Sequence, residues 1–137
     1  MNKKKHFQVV AAVIVHRGEI LCMQKGETRY HYTSGRYEFP GGKIEAGETP
    51  QQALCRELLE EMDVRVRVGE HLLTVTHHYP DFSITMQAFL CQVDSRQLVR
   101  REHAGHCWLP PQDLVFLNWC AADVPIVQEV MNKMSVI

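Results

Sequence analysis

Residues Gly42 to Val64 read GKIEAGETPQQALCRELLEEMDV, and this stretch decides the fold. Thr49 is placed to be a helix N-cap, Pro50 suits the first helical position, and Gln52 completes a capping box. Ala53, Leu54, Leu58 and Met62 recur at helical spacing and give the helix one apolar face. Asp63 falls just past its end, where a left-handed residue is favoured, and Asp tolerates that conformation better than most non-glycine residues.

The segments on either side read as strands. Phe7 to Val15 is rich in valine and isoleucine and predicts a central strand; His16-Arg17-Gly18-Glu19 predicts a turn, and Ile20 to Gln24 a second strand, so the two form a hairpin. Lys25 to Arg36 is polar and glycine-punctuated and reads as a loop. Tyr37-Glu38-Phe39 is a short extended piece stopped by Pro40-Gly41-Gly42. Val64 to Thr76 reads as a strand or strand pair, Phe82 to Val93 as another strand, Trp108-Leu109 as a last short one, and Asp123 to Met134 as a closing helix. His77-His78 fall on a strand near the mouth of any pocket. Mixed strands with two helices predict an α/β domain whose sheet is sandwiched between helices.

Bulk properties narrow the function. The 137 residues suit one domain spanning the chain. The formal net charge of -1 gives no global field toward DNA, RNA or an acidic membrane. Lys3, Lys4 and Lys5 read as a solvated basic tail. The five cysteines are scattered and form no C-x-x-C pair, which points to a reducing, cytoplasmic setting. No apolar run is long enough to span a bilayer.

Within the helix, Glu57, Glu60 and Glu61 lie at i, i+3 and i+4, so their carboxylates share one side. Like charges at these spacings oppose the helix by about a few tenths of a kcal/mol per pair. Glu60 and Glu61 also sit in the last turn, at the negative end of the helix dipole. Arg56 can pair with Glu60 at i+4 but cannot neutralise three carboxylates. A cluster of oxygen ligands is what a hard divalent cation favours, although helix charge alone reads equally as a solvated acidic face.

The surrounding spacing resembles the signature of the Nudix hydrolase family: a glycine, five residues, Glu, seven residues, Arg-Glu, an aliphatic residue, any residue, Glu-Glu, any residue, Gly and an aliphatic residue. Here these are Gly42, Glu48, Arg56, Glu57, Leu58, Glu60, Glu61, Asp63 and Val64, with Asp63 in place of the usual Gly. The likeness covers most of the chain and is closest to the MutT-like branch and the CTP pyrophosphohydrolases near it. The lead-in Glu38-Phe39-Pro40-Gly41-Gly42-Lys43-Ile44-Glu45, the run Tyr79-Pro80-Asp81, Glu102 and Ala122-Asp123-Val124-Pro125 carry the rest of it.

The resemblance implies the Nudix fold and hydrolysis of a nucleoside triphosphate to a monophosphate and pyrophosphate, in the manner of enzymes that act on 8-oxo-dGTP or cytosine nucleotides. It implies Mg2+, with Mn2+ as a substitute, held by Glu57, Glu60, Glu61, Glu102 and the Gly41 carbonyl. Glu57 and Glu102 are both candidates for the base that takes a proton from water. Gly42, Glu48 and Arg56 are implied to brace the ligands.

For the substrate, Lys25 is a candidate phosphate contact and reads equally as a solvated strand-end lysine. Phe39 is a candidate stacking surface or a core residue, and Asp81 a substrate residue or a turn residue. Asp123 either faces the base or caps the last helix. As a carboxylate it would accept from the amino group of cytosine, or from N1–H and the amino group of guanine; the MutT branch has an amide at this place. The implied partner is a small nucleotide, with no nucleic acid or membrane, and the chain a monomer or homodimer. Two alternatives are hydrolysis of ADP-ribose or a dinucleoside polyphosphate, and a non-catalytic ligand-sensing module; the intact set of carboxylates argues against the latter.

Overall fold

In the computed structural model, which describes residues 4–134, β1 (Lys5–His16) and β2 (Glu19–Lys25) form the expected hairpin. Arg17 and Gly18 both have positive φ, 50° and 77°, as a two-residue turn matched to strand twist requires. The two strands pair only beside that turn, at Val15–Ile20 and His16–Glu19, and then part.

Beyond the fork, β1 pairs antiparallel with β4 (Gly41–Lys43) and parallel with β6 (Phe82–Gln92). β2 pairs with β3 (Tyr37–Glu38) and with β7 (His103–Leu109), and β5 (Arg67–His78) lies against β6. The result is one seven-stranded mixed sheet. Successive β1 residues point to opposite faces. Val10, Ala12 and Ile14 join Ala53, Leu54, Leu58 and Met62 of α1 (Pro50–Met62) in one core. Ala11 and Val13 join Trp119 and the Ile126, Val127 and Val130 side chains of α2 (Val124–Met134) in the other. The sheet is therefore sandwiched between helices, as expected.

α1 begins and ends as its residues dictate. Thr49 accepts from the Gln52 N–H, and the Gln52 side chain accepts from the Thr49 N–H, closing the capping box. Asp63 takes the left-handed conformation (φ 57°, ψ 37°), and its N–H reaches the Leu58 and Leu59 carbonyls.

Four expectations are corrected. The last strand runs from His103, because β7 pairs along β2 from Leu109–Ile20 to His103–Lys25. Residues 64–66 lie outside any strand, so β5 starts at Arg67 and continues to His78. Asp123 ends a 3₁₀ turn, Ala121–Asp123, ahead of α2 rather than lying in the helix. Lys4 and Lys5 are exposed but not a free tail: Lys5 opens β1 and Lys4 Nζ donates to the Tyr79 carbonyl at 2.9 Å, while Lys3 lies outside the described residues. No helix among the described residues is long and apolar enough to cross a membrane.

Candidate active site

Arg56 organises the acidic end of α1. Its Nε and Nη2 donate to the two oxygens of Glu48 at 2.7 and 3.0 Å. Nη1 reaches Glu57 at 3.1 Å and Glu60 at 3.3 Å, and Nη2 also donates to the Lys43 carbonyl at 3.0 Å. The two-pronged contact uses the planar fork that lysine lacks. The Arg56 hydrogen bonds hold Glu48 below the usual carboxylate range. The expected Arg56–Glu60 pair is thus one contact of a larger brace joining α1 to the loop before it.

Glycine is required beside this brace. A side chain on Gly41 would run into the Val10 carbonyl, and one on Gly42 into the Glu57 carboxylate. Without a Cβ, β4 can pair with β1 while Glu57 packs against its backbone.

A second segment meets the helix end. The Val99 N–H donates to the Met62 carbonyl at 2.9 Å, and Arg101 Nη1 to the Glu60 carbonyl at 2.9 Å. These contacts satisfy last-turn carbonyls, which have no partner within the helix, and place cationic charge at the negative end of its dipole. They also bring Glu102 to Glu61, within hydrogen-bonding reach. Burial first, then the Glu102 and Glu57 charges, push the Glu61 carboxyl up. Like charges gathered this closely around Glu61 favour a bound cation.

Gly41, Gly42, Glu57, Glu61 and Glu102 line one wall of a cavity of about 760 Å³. Val9 and Val10 of β1 and Lys25 of β2 also line it, so it opens where the two strands have parted. Glu38, Phe39, His103 and Asp123 line it as well. Lys25 Nζ meets Glu38 at 3.3 Å, and the other Glu38 oxygen meets His103 Nε2 at 2.9 Å. Burial works to raise Glu38, but the His103 hydrogen bond and the Lys25 charge outweigh it and hold Glu38 below the ordinary range.

Asp123 behaves in the opposite way. It is only 5% exposed, and one of its oxygens accepts the Phe39 N–H at 3.0 Å. Burial first, then the Glu38 charge, push its carboxyl well above the ordinary range, against the pull of the Phe39 N–H and Lys25. Two acids of one cavity are thus driven apart, Glu38 toward the charged form and Asp123 toward the neutral one. Asp123 Oδ1 accepts its hydrogen bond from the Phe39 N–H rather than capping a helix.

Most of the residues singled out from sequence converge on this cavity; four do not line it, and two of these, Glu48 and Arg56, form the brace behind its wall. Glu60 points outward, its side chain 61% exposed, and meets Arg56. Asp81 lines a neighbouring cavity, where it accepts from the Tyr32 hydroxyl at 2.8 Å. Phe39 is both of the things expected of it, a core residue stacked on Trp119 at 4.6 Å and part of the cavity wall. Lys25 is an ion-paired wall residue rather than a solvated strand end. Glu38, in the quoted lead-in, and His103, beside Glu102, join the cavity wall through contacts between distant strands that local spacing does not show.

Among the described residues, no three His, Cys, Asp or Glu side chains stand in the arrangement of a preformed metal cage. Arg56 holds Glu57 and Glu60 to itself. The donors lining the wall are nonetheless carboxylate and carbonyl oxygens, and the Glu61–Glu102 contact needs positive charge. A hard divalent cation fits that donor set.

The NUDIX domain family matches residues 5–130. The chain belongs to the Nudix family. It is 32% identical to the CTP pyrophosphohydrolase of Escherichia coli K12, over 93% of each chain. It is 37% identical to the 8-oxo-dGTP diphosphatase of Proteus vulgaris, over 78% of this chain and 93% of that one. In structure it is similar to a MutT protein of the Nudix hydrolase family from methicillin-resistant Staphylococcus aureus 252, with a TM-score of 0.74 and 34% identity over 96% and 99% of the two chains. The chain is thus a MutT-like Nudix hydrolase, acting on phosphoric anhydride bonds.

Proposed function

We propose that this Nudix hydrolase is a divalent-cation-dependent pyrophosphohydrolase that converts a nucleoside triphosphate and water into the monophosphate and pyrophosphate. The observation that carries the proposal is a single cavity with a carboxylate wall and, elsewhere on its lining, the buried acid Asp123. Its volume of about 760 Å³ suits a small ligand with polar ends.

Glu57, Glu61, Glu102, the Gly41 carbonyl and Glu60, once turned inward from Arg56, would hold Mg2+ or Mn2+. When bound, the ion neutralises phosphate oxygens and makes a nearby water more acidic. The protein's own residues do the rest. Arg56, tied to Glu48, orients Glu57 and holds the helix end against β4. Glu57 and Glu102 are the two candidates for taking the water's proton. Lys25 offers a cation to a phosphate oxygen, at the expense of its pairing with Glu38.

Asp123 reads the base. As a neutral acid it both donates and accepts, whereas a carboxylate only accepts. A neutral acid complements the adjacent O6 and N1–H of a guanine-type base, and the adjacent N3 and amino group of cytosine. These are the base classes in the names of the two curated relatives. In donor and acceptor capacity, a neutral acid also resembles the amide that the MutT branch carries at this place.

Its five cysteines are all free thiols, which supports a reducing setting, the cytoplasm. A pyrophosphate-release screen over 8-oxo-dGTP, dGTP, CTP, dCTP, ADP-ribose and a dinucleoside polyphosphate tests the proposal. Fastest turnover on a guanine-type or cytosine triphosphate is expected; fastest turnover on ADP-ribose or the dinucleoside compound overturns it.

A further inference from the structure

Across Tyr79 from the active-site cavity lies a second cavity of about 460 Å³. Tyr79 lines both cavities, and so does the 26–36 loop, which turns Thr28 and Thr33 toward the first and Arg29, Tyr32 and Arg36 toward the second. No part of the chemistry described above uses this second space.

Its lining combines cations with a wall of stacked aromatic rings. Tyr30 stacks on Tyr32 (5.3 Å, 14°) and Tyr32 on Tyr79 (5.4 Å, 18°). The Arg29 guanidinium stands over the Tyr30 ring at 5.5 Å. His77 and His78 at the end of β5 add two imidazoles. Asp81, the sole acid lining the cavity, is hydrogen-bonded to the Tyr32 hydroxyl. Among the described residues, neither Arg29 nor Arg36 pairs with a carboxylate, so both guanidiniums are open to a ligand.

A concave site with two guanidiniums left without carboxylates, and imidazoles beside them, complements an anion of more than one negative charge. The guanidinium fork matches phosphate oxygens in particular. The tyrosines offer a flat apolar surface for a ring attached to that phosphate. We infer that this cavity binds a phosphate-bearing anion at a site separate from the carboxylate wall. A nucleotide and free pyrophosphate are the two sources of that chemistry. The inference does not depend on which nucleotide the active site hydrolyses.

Titration calorimetry of the full chain in excess chelator tests it, because the acidic wall without a cation repels phosphate whereas the guanidiniums need no metal. Pyrophosphate and a nucleoside monophosphate are the probes. Monophosphate binding that is lost with Arg29 and Arg36 assigns the site to a nucleotide, since Asp123 and Lys25 can hold the same probe in the active-site cavity; pyrophosphate binding lost in the same way, without such a monophosphate component, assigns it to the free anion. The double variant Arg29→Gln/Arg36→Gln should weaken either by about tenfold or more while leaving cation-dependent turnover unchanged. Wild-type amide shifts should move at Tyr32 and His78, a readout that needs no variant. Absence of binding by both probes, unchanged binding in the double variant, or shifts confined to the α1 end overturns the inference.

Discussion

The Asp123 carboxyl accepts the Phe39 backbone N–H at 3.0 Å and joins two residues 84 positions apart. This bond ties the turn before α2 to the strand end that leads into the acidic helix. It also commits one oxygen of a buried acid, in a cavity where Glu38 keeps the charge.

A role for neutral Asp123 in base recognition separates two substitutions. Asp123→Ala should lower kcat/KM for guanine-type and cytosine triphosphates by about one to two powers of ten, the usual effect of leaving a buried polar group unpaired. Asp123→Asn keeps a donor and an acceptor and should retain most of the activity. Steady-state kinetics on both variants decide the matter. Equal losses in the two would mean that the charged carboxylate is what the base meets.

The same residue makes stability depend on pH. Asp123 in the folded chain has a pKa raised above its ordinary 3.8, so the folded state holds the proton more tightly than the unfolded one. Its contribution is therefore most favourable below that ordinary value, and is lost as pH rises toward and through the raised folded value. Asp123→Asn removes this loss. The variant's denaturation midpoint should gain on that of the wild type as pH rises from about 4 toward neutrality. A difference between the two that does not change with pH would show that Asp123 is charged throughout.

Much of this was legible locally. The Thr49–Gln52 capping box, the left-handed Asp63 and the Arg17-Gly18 turn each depend on a few neighbouring residues, and sequence specifies such features directly. The carboxylates on α1 follow from helical spacing alone. The rest depends on contacts between distant segments. Nothing near Trp108 indicates that β7 starts at His103, because its partner is β2, about eighty residues earlier in the chain. Asp81 follows a proline like any turn residue, and only the fold puts Tyr79 between it and the active site. Glu38 and Asp123 look alike in sequence; His103 and Lys25 at one and burial at the other make them opposites.

Arg56 should resist conservative replacement. Arg56→Lys loses the two-pronged contact with Glu48 and the simultaneous hold on Glu57 and Glu60. Turnover should fall about 10- to 100-fold, as is usual when a residue that orients ligands is removed, and Arg56→Ala should fall at least as far. Single-turnover kinetics with saturating cation provide the check. Wild-type rates in Arg56→Lys would reduce the brace to a surface ion pair.

Glu61→Gln should lower kcat by about two powers of ten or more, as when one group that stabilises developing charge is removed. The folded chain should persist, with equal or greater stability near neutral pH, because the change removes a carboxyl that burial and the Glu102 and Glu57 charges already push up. Divalent cation should raise the melting temperature of the wild type, and raise that of the variant much less. An equal cation-induced shift in both proteins would remove Glu61 from the ligand set.

The central claim is cation-dependent release of pyrophosphate from a nucleoside triphosphate at the carboxylate wall. Its most direct test is product analysis after incubating the purified chain with 8-oxo-dGTP or CTP, with Mg2+ and then with excess chelator. The account predicts monophosphate and pyrophosphate in equal amounts with Mg2+ and no products with chelator. Diphosphate and orthophosphate as the products, or turnover unchanged by chelator, would contradict it.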